Sequence, residues 1–125
     1  MNARAFKVYA EGQKEASVQL SAPVDLIIII YERLIEHCRD AKREIADDKD
    51  PVDSVTKAVD LISDGLQGCL DFQKGGQIAT NLRDLYEWCV IQLVGSRITR
   101  KVESVESVER VLSDLLIGWR GLSKK

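Results

Sequence analysis

The chain has 125 residues, 45% of them apolar and 30% charged, with a formal net charge of −2; a domain of that size closes its own core, and a balance so mild, with Arg and Lys in scattered pairs such as Lys42-Arg43 and Arg100-Lys101, excludes the basic face that nucleic acid needs. Cys38, Cys69 and Cys89 are too few and too far apart for a disulfide framework or a CxxC metal site, and they fit a reducing cytosol. The N-terminus lacks a secretory apolar core and the longest apolar run, Leu26 to Tyr31, is far too short to span a bilayer, so the expectation is a soluble cytoplasmic protein with no membrane insertion.

Residues 1 to 20 form a polar, poorly periodic segment that carries the bulky side chains Phe6, Val8 and Tyr9. Pro23 and Pro51 each precede a long helical pattern and read as helix starts, because the missing N–H of proline costs nothing in a first turn. The first helix runs from Pro23 to about Ala46, with Leu26, Ile30, Leu34, Cys38, Ala41 and Ile45 as its inward stripe. Asp47 to Pro51 is a polar linker. A second helix covers about Val52 to Phe72, with Val55, Val59, Ile62, Leu66, Cys69 and Leu70 inward, and Lys74-Gly75-Gly76 punctuates after it. The third spans about Gln77 to Arg97 on Ile78, Leu82, Leu85, Cys89 and Leu93. In the fourth, about Glu103 to Leu122, the stripe Val105, Val108, Leu112, Leu115, Trp119 and Leu122 alternates steps of three and four without a miss.

Four helices joined by short connections predict an all-α fold: an antiparallel up-down four-helix bundle with an additional short N-terminal segment or helix. The chain reads as one domain over 1–125, with 1–20 as a cap segment and 23–122 as the bundle.

Three of the helices carry more apolar side chains than one stripe requires. Ile27, Ile28, Tyr31 and Ile35 are extra on the first, Tyr86, Trp88, Ile91 and Val94 on the third, and Val102, Val111, Leu116 and Ile117 on the fourth. Either the core is wide and the remainder are scattered surface residues, or the surplus forms a surface for a partner helix. Phe6, Val8 and Tyr9 either pack over one end of the bundle or occupy that surface until a partner displaces them.

The string Leu70-Asp71, then KGGQIATNL from Lys74 to Leu82, then Leu85-Tyr86 resembles the signature of the flagellar secretion chaperones, FliS. Ala22-Pro23 with Leu26-Ile27 and Tyr31 is similar to that family's opening of the first long helix, and Tyr9 and Trp119 fall at matching places. Ala22 departs from the family's Ser or Thr, a change that costs about 1 kcal/mol of capping; Gly95-Ser96 replaces its usual Ala-Asn. The resemblance implies a bundle that binds the disordered C-terminal segment of flagellin, prevents premature polymerisation and aids flagellar type III export, with an export-gate component as a further partner. It implies partner-binding roles for Phe6, Tyr9, Ile27, Tyr31, Asn81, Leu82, Leu85 and Tyr86. Asn81 has two readings, a clamp on a partner backbone or a bond to a neighbouring element.

No catalytic, cofactor-binding or metal constellation stands out, and an enzyme is not expected. His37 and Cys38 are adjacent on a helix, diverge by roughly 100° and cannot chelate together. The alternative readings are a histidine phosphotransfer domain using His37, although His37-Cys38-Arg39-Asp40-Ala41 lacks the usual HxxKG, and a generic helical adaptor. The chain is expected to be a monomer or a homodimer.

Overall fold

The structure, a computed structural model, describes residues 24–123; Phe6, Tyr9, Pro23 and the expected cap segment lie outside them. Among the described residues there are helices and no strands: α1 (Val24–Ala46), α2 (Val52–Asp60), α3 (Phe72–Thr99) and α4 (Val102–Ser123). α1 packs on α4 and α2, and α3 on α4 and α2, which leaves α1 and α3 at opposite corners of a four-helix square. The antiparallel sense of α1 and α4 is written in their cross-pairs. Ser123 donates to Asp25, Arg120 to Glu32 at 2.9 Å and Arg39 to Glu109 at 3.0 Å, so the numbers fall on one helix as they rise on the other.

α1 ends where Asp48 turns into the left-handed region at φ 60°. There Lys49 N–H reaches back to the Glu44 carbonyl at 2.8 Å and Asp48 N–H to that of Ile45 at 3.0 Å, satisfying carbonyls that the helix end leaves open. Pro51 caps the next helix rather than opening its first turn, and its carbonyl accepts from Val55 N–H at 2.9 Å. The α1–α2 and α3–α4 connections meet at this end. Two guanidinium nitrogens of Arg97 donate to the Asp50 carboxylate at 3.2 Å each, and Arg100 lies 3.6 Å away. The Arg97 hydrogen bonds hold Asp50 below the usual carboxylate range.

The opposite end departs from expectation. After Asp60 the second helix widens into π turns over Leu61–Leu66, tightens into a 3₁₀ turn over Gln67–Cys69, and is extended at Leu70 and Asp71. It was expected to run to Phe72 and stop at the glycines. Asp71 decides otherwise: its carboxylate accepts from Gln73 and Lys74 N–H at 3.0 and 3.1 Å, an N-cap that opens α3 before the glycines. One helical turn later Gly76, at φ 53° and ψ −128°, breaks α3 and redirects it, a conformation that a side chain would strain.

The core face of α1 also differs from the expected stripe. Ile27, Tyr31, Leu34, Ile35, Cys38, Ala41 and Ile45 are buried, while Leu26 is exposed and Ile30 half-buried. Upstream of Leu34 the stripe can step back by three to Tyr31 or by four to Ile30, and five consecutive apolar residues, Leu26 to Ile30, leave the phase open. The structure takes the first route because it lets Tyr31 cross the core. Its hydroxyl shares a 2.7 Å hydrogen bond with that of Tyr86 on α3, at the far corner, and the Trp119 ring of α4 meets it edge-on at 6.4 Å. Burial pushes both tyrosine hydroxyls well above their ordinary range.

Candidate functional site

Among the described residues, large apolar side chains remain outside singly at Val52 and Ile117 and together in two places. The first is the opening of α1, where Leu26 is 44% and Ile29 55% exposed. Ile30, one turn on from Leu26, lies against the π turns, since a methyl placed on Gly65 would stand 3.5 Å from its side chain. Leu26 and Ile29 lie within one turn of Ile30, at the end of the bundle where the second helix loses its regular geometry. Phe72 is also exposed at this end of the bundle, with the Arg83 guanidinium 5.6 Å from its ring centre, a cation–π contact. The second place is the outward face of α3, where Ile91, Val94 and Ile98 are exposed.

The expected site residues divide by burial. Ile27, Tyr31 and Tyr86 are core side chains, which corrects their reading as surplus groups, and Leu82, on the expected inward stripe, is buried with them in the same cluster rather than offered to a partner. They can set the shape of the surface from beneath but do not present it. Leu85 is half-buried and packs against the core. Asn81 is half-buried, and its carbonyl oxygen accepts from the Gln77 side chain one turn earlier at 2.8 Å. That is the local bond weighed as one of its two readings, and it leaves the amide nitrogen without a hydrogen bond to a described residue. Phe6 and Tyr9 lie outside the described residues.

Leu26, Ile29, Phe72 and Ile98 were missed as surface groups. Ile98 was legible, since it sits seven residues after Ile91 and four after Val94 on one helical face. Leu26 was not, because its face depended on the ambiguous phase of α1.

Reactive groups are quiet here. Burial pushes the Cys38 and Cys89 thiols up to about 12, so they stay protonated and inert. His37 is half-buried on α1. Among the described residues no group of three or more His, Cys, Asp or Glu side chains is placed to hold a metal, and no helix is long and apolar enough to cross a membrane.

Comparison with known proteins accords with this picture. A family model described as flagellar protein FliS matches residues 5–125. The chain is 30% identical to the flagellar secretion chaperone FliS of Salmonella typhimurium over 98% of its own length and 93% of that protein's. It is 29% identical to the flagellar secretion chaperone FliSB of Pseudomonas aeruginosa, covering 96% of each chain, and 23% identical to the Escherichia coli FliS over 94% and 88%. A bundle with a sealed polar-tied core, apolar side chains left on its outside and a matching sequence from end to end is accounted for together: the chain belongs to the FliS family of flagellar secretion chaperones.

Proposed function

We propose that this protein is a cytosolic export chaperone that binds the disordered C-terminal segment of flagellin, keeps it from polymerising early and hands it to the flagellar export gate. The observation that carries the reading is the unsealed opening of α1, where Leu26 and Ile29 stand in water beside the deformed second helix. A segment that orders on binding loses conformational entropy, and that loss is offset by burying apolar surface on a preformed scaffold. Leu26 and Ile29 supply such surface, and the amide nitrogen of Asn81, which has no hydrogen bond to a described residue, is a donor for a partner's backbone carbonyl. Leu85 borders the core at the same helix signature, Phe6 and Tyr9 are expected to contribute from the N-terminal segment, and Ile27, Tyr31, Leu82 and Tyr86 hold the helices in place beneath.

Isothermal titration with a flagellin C-terminal peptide is expected to give one-to-one binding with a clearly negative heat-capacity change. The double variant Leu26→Asp/Ile29→Asp should keep its helical content and bind at least roughly ten-fold more weakly, as expected when two apolar anchors are lost. Absence of binding at high micromolar peptide would defeat the flagellin reading. Undiminished binding by the double variant would move the site elsewhere on the bundle.

A further inference from the structure

The longest run without a buried side chain among the described residues joins the second helix to the body of α3. From Gln67 to Ile78 no side chain is buried, whereas elsewhere in the helices a buried residue recurs every three or four positions. Leu70 and Ile78 are half-buried against the core. The backbone changes character at both ends of this run. It passes from π to 3₁₀ geometry at Gln67, and Gly76 takes φ 53° and ψ −128°. Between these points residues 67–75 form a strap, made of a 3₁₀ turn, the extended Leu70 and Asp71, and one turn of helix.

The strap is held by small ties. The Leu70 N–H reaches the Gln67 carbonyl at 3.3 Å, and the Asp71 carboxylate accepts from Gln73 and Lys74 N–H; these bonds are internal to the strap. Across the break at Gly76, the half-exposed Phe72 ring meets the Arg83 guanidinium, which also pairs with Asp84. A cation–π contact in water is a weak tie. Segments with few buried apolar contacts open locally at far lower cost than the whole fold. The strap has that character, and α4, buried at every turn, does not. Burial first, then Tyr31 and the thiols of Cys89 and Cys69, push the Tyr86 hydroxyl up, so Cys69 of the strap lies near the tie between α1 and α3.

We propose that residues 67–75 are a hinged strap whose local opening enlarges the apolar surface at this end of the bundle. Granted the partner site at the opening of α1, on which this inference rests, the disordered partner segment binds the opened form. Area decides the direction. A segment that orders on binding buries on the order of 1,000–3,000 Å². With the strap closed this end offers Leu26, Ile29 and Phe72, each about half exposed, which is a fraction of that area. Opening lifts Leu70 and bares the core side chains on which it rests, without withdrawing the buried anchors Ile62, Leu66 and Ala79. A ligand that prefers the open form shifts the population toward it, and its apparent affinity scales with the open fraction.

Two substitutions move that fraction in opposite directions. Arg83→Ala removes the tie to Phe72 and raises it. Gly68→Ala, at ordinary φ with open space around the added methyl, narrows the conformations of the opened strap and lowers it. Cys69 is half-buried on the strap while Cys38 and Cys89 are fully buried, so its reaction with iodoacetamide in the full native chain reads the opening without any partner. Alkylation should quicken in Arg83→Ala and slow in Gly68→Ala, each roughly two- to five-fold. Isothermal titration with the flagellin C-terminal peptide should show affinity rising by the same factor in the first variant and falling in the second. Alkylation rates that do not differ among the three proteins overturn the strap. Rates that differ while the affinities stay equal, or change in the reverse order, overturn its coupling to the partner. Binding lost in Leu26→Asp/Ile29→Asp but indifferent to both strap variants overturns this inference and leaves the site at α1 standing. A peptide that does not bind even the unmodified chain defeats the flagellin reading, and the coupling with it.

Discussion

α4 and the second helical stretch do the same job, burying one apolar face against α1 and α3, and they do it differently. In α4 every member of the stripe Val105, Val108, Leu112, Leu115, Trp119 and Leu122 is buried, and the helix is regular from Val102 to Ser123. The second stretch holds α-helical geometry only from Val52 to Asp60, then changes pitch twice before it ends. Its apolar supply explains the difference. Past Asp60 it offers Ile62 and Leu66 as fully buried anchors, separated by Ser63, Asp64 and Gly65, and Gly68 follows. Ile62 and Leu66, four residues apart, stay inward through the π turns, so the segment keeps its two anchors while its pitch changes. A strict period yields a stiff rod, whereas sparse anchors with glycines between them yield a rod that bends to keep its few contacts.

The largest test of that contrast is a pair of cavity substitutions. Leu112→Ala should cost about 3–5 kcal/mol in urea unfolding, because the regular α1–α4 seam cannot close around the void. Leu66→Ala should cost about 2–3 kcal/mol, since the irregular segment can collapse onto the space. Equal losses would mean that the second stretch is as rigid as α4 despite its geometry.

Of intermediate size is the tie between opposite corners. Tyr31→Phe leaves the Tyr86 hydroxyl buried without its partner and should cost about 1–3 kcal/mol. The double variant Tyr31→Phe/Tyr86→Phe should lose less than the sum of the two single losses, because it removes both polar groups at once. Strict additivity in that cycle would show that the two hydroxyls do not depend on each other.

How much of this was legible in the sequence follows the same division. The fourth helix, and the first helix beyond Leu34, could be read on their main stripes because an apolar position recurs every three or four residues over several turns, although Ile35 and Leu116, counted as surplus, are buried as well. Leu26 to Ile30 could not, since an unbroken apolar run is compatible with several faces, and the choice was made by Tyr31 reaching Tyr86 from the far corner. That bond is tertiary and has no local signal. Asp71 is a local signal: a capping carboxylate followed by Phe72 and Gln73 starts a helix, and the glycines after it then bend that helix rather than precede it. The candidate surface inherited both difficulties. Ile27, Tyr31, Leu82 and Tyr86 belong to the family's signature because they build the bundle, while the side chains left in water, such as Leu26 and Ile29, emerge only once the phase is known.

The smallest effect lies on the rim of the regular seam. Glu109 accepts from Arg39 and pairs with Lys42, and its side chain is only 16% exposed. Burial alone would raise its carboxyl, but Lys42 and Arg39 outweigh burial and hold it below the usual glutamate range. A carboxyl whose folded pKa is depressed stabilises the fold above its unfolded value, near 4.3, and that contribution drains away as the pH falls through the folded value. Glu109→Gln should therefore cost about 0.5–1 kcal/mol at neutral pH, an amount reduced by the solvent around Arg39 and reduced further by salt. Below the folded value the variant and the parent should unfold at the same urea concentration, both carrying an uncharged side chain there. A deficit that persisted undiminished at acid pH would mean that Glu109 works through packing along α4 rather than through its charge, and that the seam owes its stiffness to apolar contact alone.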